Sequence, residues 1–368
     1  MDKKKILIVS RSFYPQNSPR SFRTTELAKE FAKQGHEVTV MTIKTEYTYN
    51  QFEIKHNLTV LDLIKSRKNE RDLFSTKRGL ITRIKDRFLY QFLLYPEIKL
   101  AFLVKKVLIN HQKEYDLLVS IAKPYSAHFG CAMALRKNKQ LTKCWVSDCG
   151  DPFSPSSDPY SFPFYIKKFE RWMFGLANYV SIPVETALPA YPAVAQKKAV
   201  IIPQGFNFED VKIDKSFEKN EVPTFAYAGA FYNKIRSPEK LLRFLSTLNK
   251  DFKFVFFTGS TNYIEPFFPI LKDKIEIRNV LPRQELLFEL SKMDFLVNIE
   301  NTDREMVPSK FIDYALTKRP ILSLHPENFD PELVVEFING NYENQFIVKN
   351  LEKYNIKNVA PQFLNLTS

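Results

Sequence analysis

Glycine is scarce in this chain, nine residues in 368. Neither G-x-G-x-x-G nor G-x-x-x-x-G-K-S/T occurs. Both motifs place glycine where backbone closes on a phosphate, so a dinucleotide dehydrogenase and a P-loop ATPase are argued against. Cysteine is also rare: Cys131, Cys144 and Cys149 form an odd set without metal-ligand spacing, which predicts reduced thiols in a cytosolic protein. No run approaches the ~18 apolar residues needed to cross a bilayer. Ile6–Val9 is too short for the apolar stretch of a secretory signal and reads as a strand. Low-complexity tracts and short internal repeats are missing, and there are only five histidines.

What is present is a hydrophobic fraction of 44% and a charged fraction of 26%, the balance of a soluble globular protein. A length of 368 exceeds one ordinary core and predicts two domains. Lys and Arg number 54 against 41 Asp and Glu, a net +13 that favours an anionic partner: nucleotide, phospholipid surface or nucleic acid. The basic residues are spread along the chain and no recognised nucleic-acid motif occurs, which argues against nucleic acid.

Short apolar runs alternate with helical periodicity. Lys5–Ser10 reads as a strand buried on both faces, Ser21–Gln34 as a helix closed by Gly35, and Val38–Thr42 as the next strand, a right-handed βαβ unit. Further strands are expected at 58–63, 116–120, 143–147, 179–182 and 199–202, with helices over 80–112, 126–138 and 163–177. Pro203–Asn207 and the charged stretch 209–221 read as a turn and a linker. The alternation then restarts, with strands at 224–228, 253–258, 275–278, 295–298 and 320–324 and helices from 238, over 263–271, 283–292 and 309–317. The expected fold is α/β, two Rossmann-like βα domains facing a central cleft, with the site at carboxyl ends of strands. Residues 1–206 form the first domain and 207–350 the second.

One segment carries most of the chemistry. Glu305 and Asp313 lie eight positions apart, flanking Pro308, Ser309 and Lys310. Pro and Ser predict a helix start near 307–309, whose free backbone donors suit a phosphate. Lys310 falls in the first turn and Asp313 on the same face. A sugar on a nucleoside diphosphate would fit, cation to phosphate and acids to hydroxyls. A capped helix with a solvated Lys and Asp fits each residue taken singly.

The motifs in order are KILIVSRSFYP, LAKEFAKQGHEVTVMT, KPYSAHFG, DCGDPFSP, VIIPQGFN, FAYAGAF and VPSKFIDYALTKRPIL. Together they resemble the GT-B fold glycosyltransferases, and within them the retaining family 4 enzymes of bacterial surface-polysaccharide synthesis. The resemblance covers nearly the whole chain. It implies transfer of a sugar from a nucleoside-diphosphate sugar to a glycan or polyprenyl-linked acceptor, with neither metal nor cofactor. It also implies a cytoplasmic enzyme working at the inner face of the cell membrane, and a final helix at 351–368 returning to the first domain.

Residue by residue, the resemblance sets Glu305 beside the transferred sugar and Asp313, a shorter acid than the family's glutamate, on the ribose diol. Gly229 and Arg236 fall where the family binds the diphosphate. Ala230 stands where another basic residue is often found, and Lys310 is the candidate to replace it. Base recognition falls on the loop of Arg278 and Val280. His128 matches a histidine that contacts the donor sugar; a packed core residue is the alternative. Arg20 and Arg23 lie in a loop facing donor phosphates or an acceptor pyrophosphate, or are surface arginines. Asp148 and Asp151 orient acceptor hydroxyls or a neighbouring residue, or cap a polar turn. The segment 78–106 interleaves Arg83, Arg87 and Lys99 with Phe88, Tyr90 and Phe102, which suits an anionic membrane surface or an ordinary helix pair with a basic outer face. Rival readings are a sugar-nucleotide 2-epimerase of the same fold and a non-catalytic binding homologue.

Overall fold

The structure, a computed structural model, describes residues 2–64, 80–111, 113–153, 162–232, 236–300 and 310–367, with the side chains of 80–84 excepted. The chain divides into two compact units, Met1–Phe206 with Lys353–Ser368, and Asn207–Glu352. Glu305 and the expected helix start at 307–309 lie outside the described residues.

The first unit is built on seven strands: β1 (Lys5–Ser10), β2 (Glu37–Thr42), β3 (Thr59–Asp62), β4 (Tyr115–Ile121), β5 (Thr142–Asp148), β6 (Tyr179–Ile182) and β7 (Ala199–Ile201). They are ordered β3-β2-β1-β4-β5-β6-β7, and every pairing is parallel. Side chains alternate across a strand, so Ile6 and Ile8 enter one core layer and Leu7 and Val9 the other, all fully buried. A sheet covered on both faces is the reason β1 reads as a continuous apolar run. The Pro19–Lys33 helix and the Ile356–Leu364 helix pack against each other on one face of this sheet. The chain returns beside its own exit, with Phe206 N–H donating to Tyr354 C=O and Ile356 N–H to Phe206 C=O, both at 2.8 Å.

The second unit holds β8 (Thr224–Ala228), β9 (Lys253–Phe257), β10 (Ile275–Arg278), β11 (Phe295–Ile299) and β12 (Ile321–Leu324). Their order is β10-β9-β8-β11-β12, again all parallel. Aromatic rings fill one face: Phe225 stacks on Phe295 with centroids 4.5 Å apart and lies 4.6 Å from Phe254.

Three helices differ from the periodicity. The first begins at Pro19, two residues early, because Ser18 caps it and proline is at ease at a helix start. The expected 80–112 helix is two, Leu80–Leu93 and Ile98–His111, parted where Leu94 turns left-handed (φ 53°) ahead of Pro96. The expected 263–271 helix breaks into short 3-10 and α turns because Pro266 and Pro269 remove two backbone donors within it. No helix among the described residues is long and apolar enough to cross a membrane.

Candidate functional site

In the second unit, β8 ends at Ala228 and Gly229 follows at φ +133°, a conformation that residues with a side chain rarely adopt. The turn is pinned on several sides. Gly229 N–H donates to Phe257 C=O at 3.1 Å, Phe231 N–H to Ser260 Oγ at 3.2 Å, and the Tyr227 hydroxyl to Ala230 C=O at 3.0 Å. Tyr232 and Arg236 then exchange both backbone hydrogen bonds, at 3.0 and 2.9 Å, which folds Arg236 back toward the end of β8.

Lys310 opens the described part of the Lys310–Leu316 helix. That helix is anchored by buried Phe311, Ile312 and Tyr314, and the Tyr314 hydroxyl accepts the Ala228 N–H at 2.8 Å. The anchor sets Lys310 Nζ over the Tyr227 ring, 4.5 Å from its centroid. The residue as a whole is only half-buried, but Nζ itself is enclosed and meets no hydrogen-bond partner among the described residues. Burial pushes the ammonium well below the ordinary lysine range, and the nearby Arg236 charge pushes it the same way. Burial lifts the Tyr227 hydroxyl to about 12, against the pull of Arg236.

Asp313, three residues on, is held by an ion pair that sequence reasoning missed. Arg283, at the start of the Arg283–Leu290 helix, reaches Asp313 Oδ1 through Nε at 2.8 Å and Nη2 at 2.7 Å. Burial raises the Asp313 carboxyl and Arg283 opposes it. The pair spans 30 positions of sequence, and no local pattern announces it. Gly229, Arg236 and Lys310 thus gather around the end of β8, while Asp313 is paired with Arg283. Arg278 is directed elsewhere, paired with Glu276 at 2.6 Å and Glu289 at 3.3 Å. Val280 is 62% exposed.

In the first unit, three of the expected site residues lie in the interior. Arg23 and Asp148 do not face solvent; they pair with each other in the interior. Arg23 Nε and Nη2 donate to the two carboxylate oxygens at 3.0 and 2.9 Å, and Nη1 donates to Pro203 C=O at 2.6 Å. The Ser181 hydroxyl adds a 2.5 Å hydrogen bond to Asp148. Burial alone would raise the carboxyl, but Arg23 and Ser181 hold it below the ordinary aspartate value. Asp148 is thus committed to a neighbouring residue, Arg23.

His128 is the third. Its ring has no exposed surface in this conformation and is packed in the core. Ser120 Oγ accepts the Trp145 indole N–H at 2.8 Å and is 2.7 Å from His128 Nδ1, an arrangement in which Ser120 donates and Nδ1 accepts. Nε2 then carries the proton, toward Cys149 Sγ at 3.5 Å. Burial lowers the imidazole pKa to about 3, so the ring is neutral at physiological pH.

Arg20 lies flat against Gly150, where an added Cβ would stand 1.8 Å from its Nη2, so only glycine admits this approach. Asp151 is 3.6 Å from Lys123, and its carbonyl accepts the Tyr125 hydroxyl at 2.8 Å. Beside them is a cavity of about 370 Å³ whose lining includes Tyr90, Glu97, Lys123, Tyr125, Phe153 and Phe162. Burial raises the Glu97 carboxyl, with Arg11 and Lys123 opposing. Among the described residues no three His, Cys, Asp or Glu side chains gather as a metal would require.

No protein-family model matches the chain, and no curated protein matches it in sequence. Solved structures resemble it throughout. A glycosyltransferase from Rickettsia africae has a TM-score of 0.61 at 13% identity, covering 100% of this chain and 95% of that one. HepE of Anabaena, in complex with UDP-glucose, has a TM-score of 0.59 at 12% identity, covering 99% and 96%. A variant of TarM from S. aureus, in complex with Fondaparinux, alpha-GlcNAc-glycerol and UDP, has a TM-score of 0.59 at 11% identity, covering 100% of both. At such identities the likeness is one of fold, and the fold is that of the GT-B glycosyltransferases.

Proposed function

We propose that the protein is a glycosyltransferase of the retaining, family 4 type. It would move a sugar from a nucleoside-diphosphate sugar to a hydroxyl of a glycan or polyprenyl-linked acceptor in polysaccharide synthesis. The observation that carries this reading is the enclosed Lys310 ammonium nitrogen with Arg236 nearby, at the Gly229 turn of a GT-B-like second domain. The UDP-glucose complex of Anabaena HepE supports the donor class.

In this reading Lys310 and Arg236 take the diphosphate, Glu305 the transferred sugar and Asp313, beside Arg283, the ribose. Arg278 and Val280 lie on the base side. The bond from the sugar's anomeric carbon to the β-phosphate oxygen breaks, the acceptor oxygen bonds that carbon, and the acceptor's proton passes to the leaving phosphate. The cations stabilise the charge that develops on the departing diphosphate, and no metal takes part. Arg20 and Asp151 serve the acceptor, Asp151 being paired with Lys123 of the aromatic cavity's lining. The basic, aromatic helices at 80–111 carry the protein to the inner face of an anionic membrane, where a lipid-linked acceptor lies.

Thermal shift with UDP-, GDP- and dTDP-sugars, followed by donor hydrolysis without acceptor, tests the reading. One nucleotide class is expected to stabilise the protein and to be hydrolysed slowly. Binding without hydrolysis or transfer would make the protein the non-catalytic homologue instead. Glu305→Ala is expected to lower transfer about 100-fold, roughly 2.7 kcal/mol of transition-state stabilisation. Near-normal turnover of that variant would remove Glu305 from the site.

A further inference from the structure

We infer that the diphosphate site of the second domain binds its ligand together with a proton, which Lys310 takes up from solvent. The inference rests on the nucleoside-diphosphate reading above. Its basis is the surroundings of one nitrogen. Lys310 Nζ is enclosed, accepts no solvent contact and has no hydrogen-bond partner among the described residues.

Among the described residues around it, none offers a free anion. From β8 comes Tyr227, whose ring lies under Nζ and whose hydroxyl is neutral at physiological pH. From the 232–236 turn comes a second cation, Arg236. The helix of Lys310 itself offers Tyr314, committed to the Ala228 backbone, and Asp313. Asp313 is taken by Arg283 of the neighbouring helix. An ammonium without acceptors, beside a like charge, is costly, and an amine in such a place sheds its proton. The direction of the Lys310 shift agrees.

A diphosphate supplies both missing things, acceptor oxygens and negative charge. Its arrival restores the ammonium: the neutral amine, one proton from the buffer and a phosphate oxyanion become an ammonium–phosphate pair. Arg236 stays charged at every accessible pH and adds no such linkage. Above the pKa of Lys310 in the free protein, diphosphate affinity therefore falls about tenfold per pH unit.

Isothermal titration of the full chain with UDP, GDP and dTDP, in two buffers of different ionisation enthalpy, reads the proton directly. A mildly alkaline pH keeps the terminal phosphate of the nucleotide fully ionised. Uptake of about one proton per bound nucleotide is expected. Lys310→Arg should bind with the same heat in both buffers, and Lys310→Met should bind more weakly, also without uptake. Equal heats in the two buffers for the unaltered protein would overturn the inference and leave the donor reading intact. Uptake that persists in Lys310→Arg would overturn it as well. Failure of all three nucleotides to bind would instead overturn the donor reading on which it rests.

Discussion

Arg23 and Lys310 are two basic side chains whose nitrogens are withdrawn from water, one in each domain, and their surroundings are opposite. Every face of the Arg23 guanidinium is used: a forked pair with Asp148, the Pro203 carbonyl, and the Phe363 ring 5.2 Å from its centre. The Lys310 ammonium has an aromatic ring and a like charge. Charge desolvation opposes folding at both sites, and among the described residues it is offset only at Arg23. The contrast separates a cation that holds the fold together from one left without a hydrogen-bond partner among the described residues.

The contrast breaks most sharply at Asp148. Asp148→Ala leaves Arg23 buried and uncompensated, and should cost about 3–5 kcal/mol in urea unfolding. The folded-state pKa of Asp148 is depressed, so its contribution is full above the ordinary aspartate value of 3.8 and is lost as pH falls through the lowered one. Arg23→Lys keeps the charge but cannot reach both carboxylate oxygens and Pro203 together, and about 2 kcal/mol should be lost in the same measurement.

Lys310→Met should act in the opposite direction and raise stability by about 1 kcal/mol near neutral pH, seen as a higher melting temperature. The lowered pKa fixes the sign. Between that pKa and the ordinary lysine value of 10.5 the unfolded chain binds a proton that the native state has released. The cost of Lys310 is therefore full at low pH and fades as pH rises toward 10.5, and the advantage of methionine should shrink along that course. A Lys310→Met variant less stable than the parent would place Lys310 with Arg23, as part of the framework.

The same contrast marks what the sequence could disclose. β6, β8 and β10 stand at their expected bounds, because an apolar run bounded by turn residues is a local signal. That Lys310 and Arg236 lie near one another is expected through the family resemblance alone, not from any local pattern. Arg23, in the first helix, and Asp148, at the end of β5, are 125 positions apart, and no local pattern hints that they meet. His128 shows the same limit: Ser120 and Cys149, which satisfy its ring, come from two different strand ends. The long basic helix failed for a local reason instead, since a period of 3.6 carries no information about a break at Leu94 and Pro96.

The Ile356–Leu364 helix carries a consequence for biosynthesis. Ile356, Val359 and Phe363 belong to the same core layer as Leu27 and Phe31. Residues 1–206 therefore leave the ribosome with a hydrophobic gap that stays open until some 150 further residues have been made, a figure set by the spacing from 206 to 356. The second unit is contiguous and can fold entirely within that interval. The domain synthesised first is thus the one completed last.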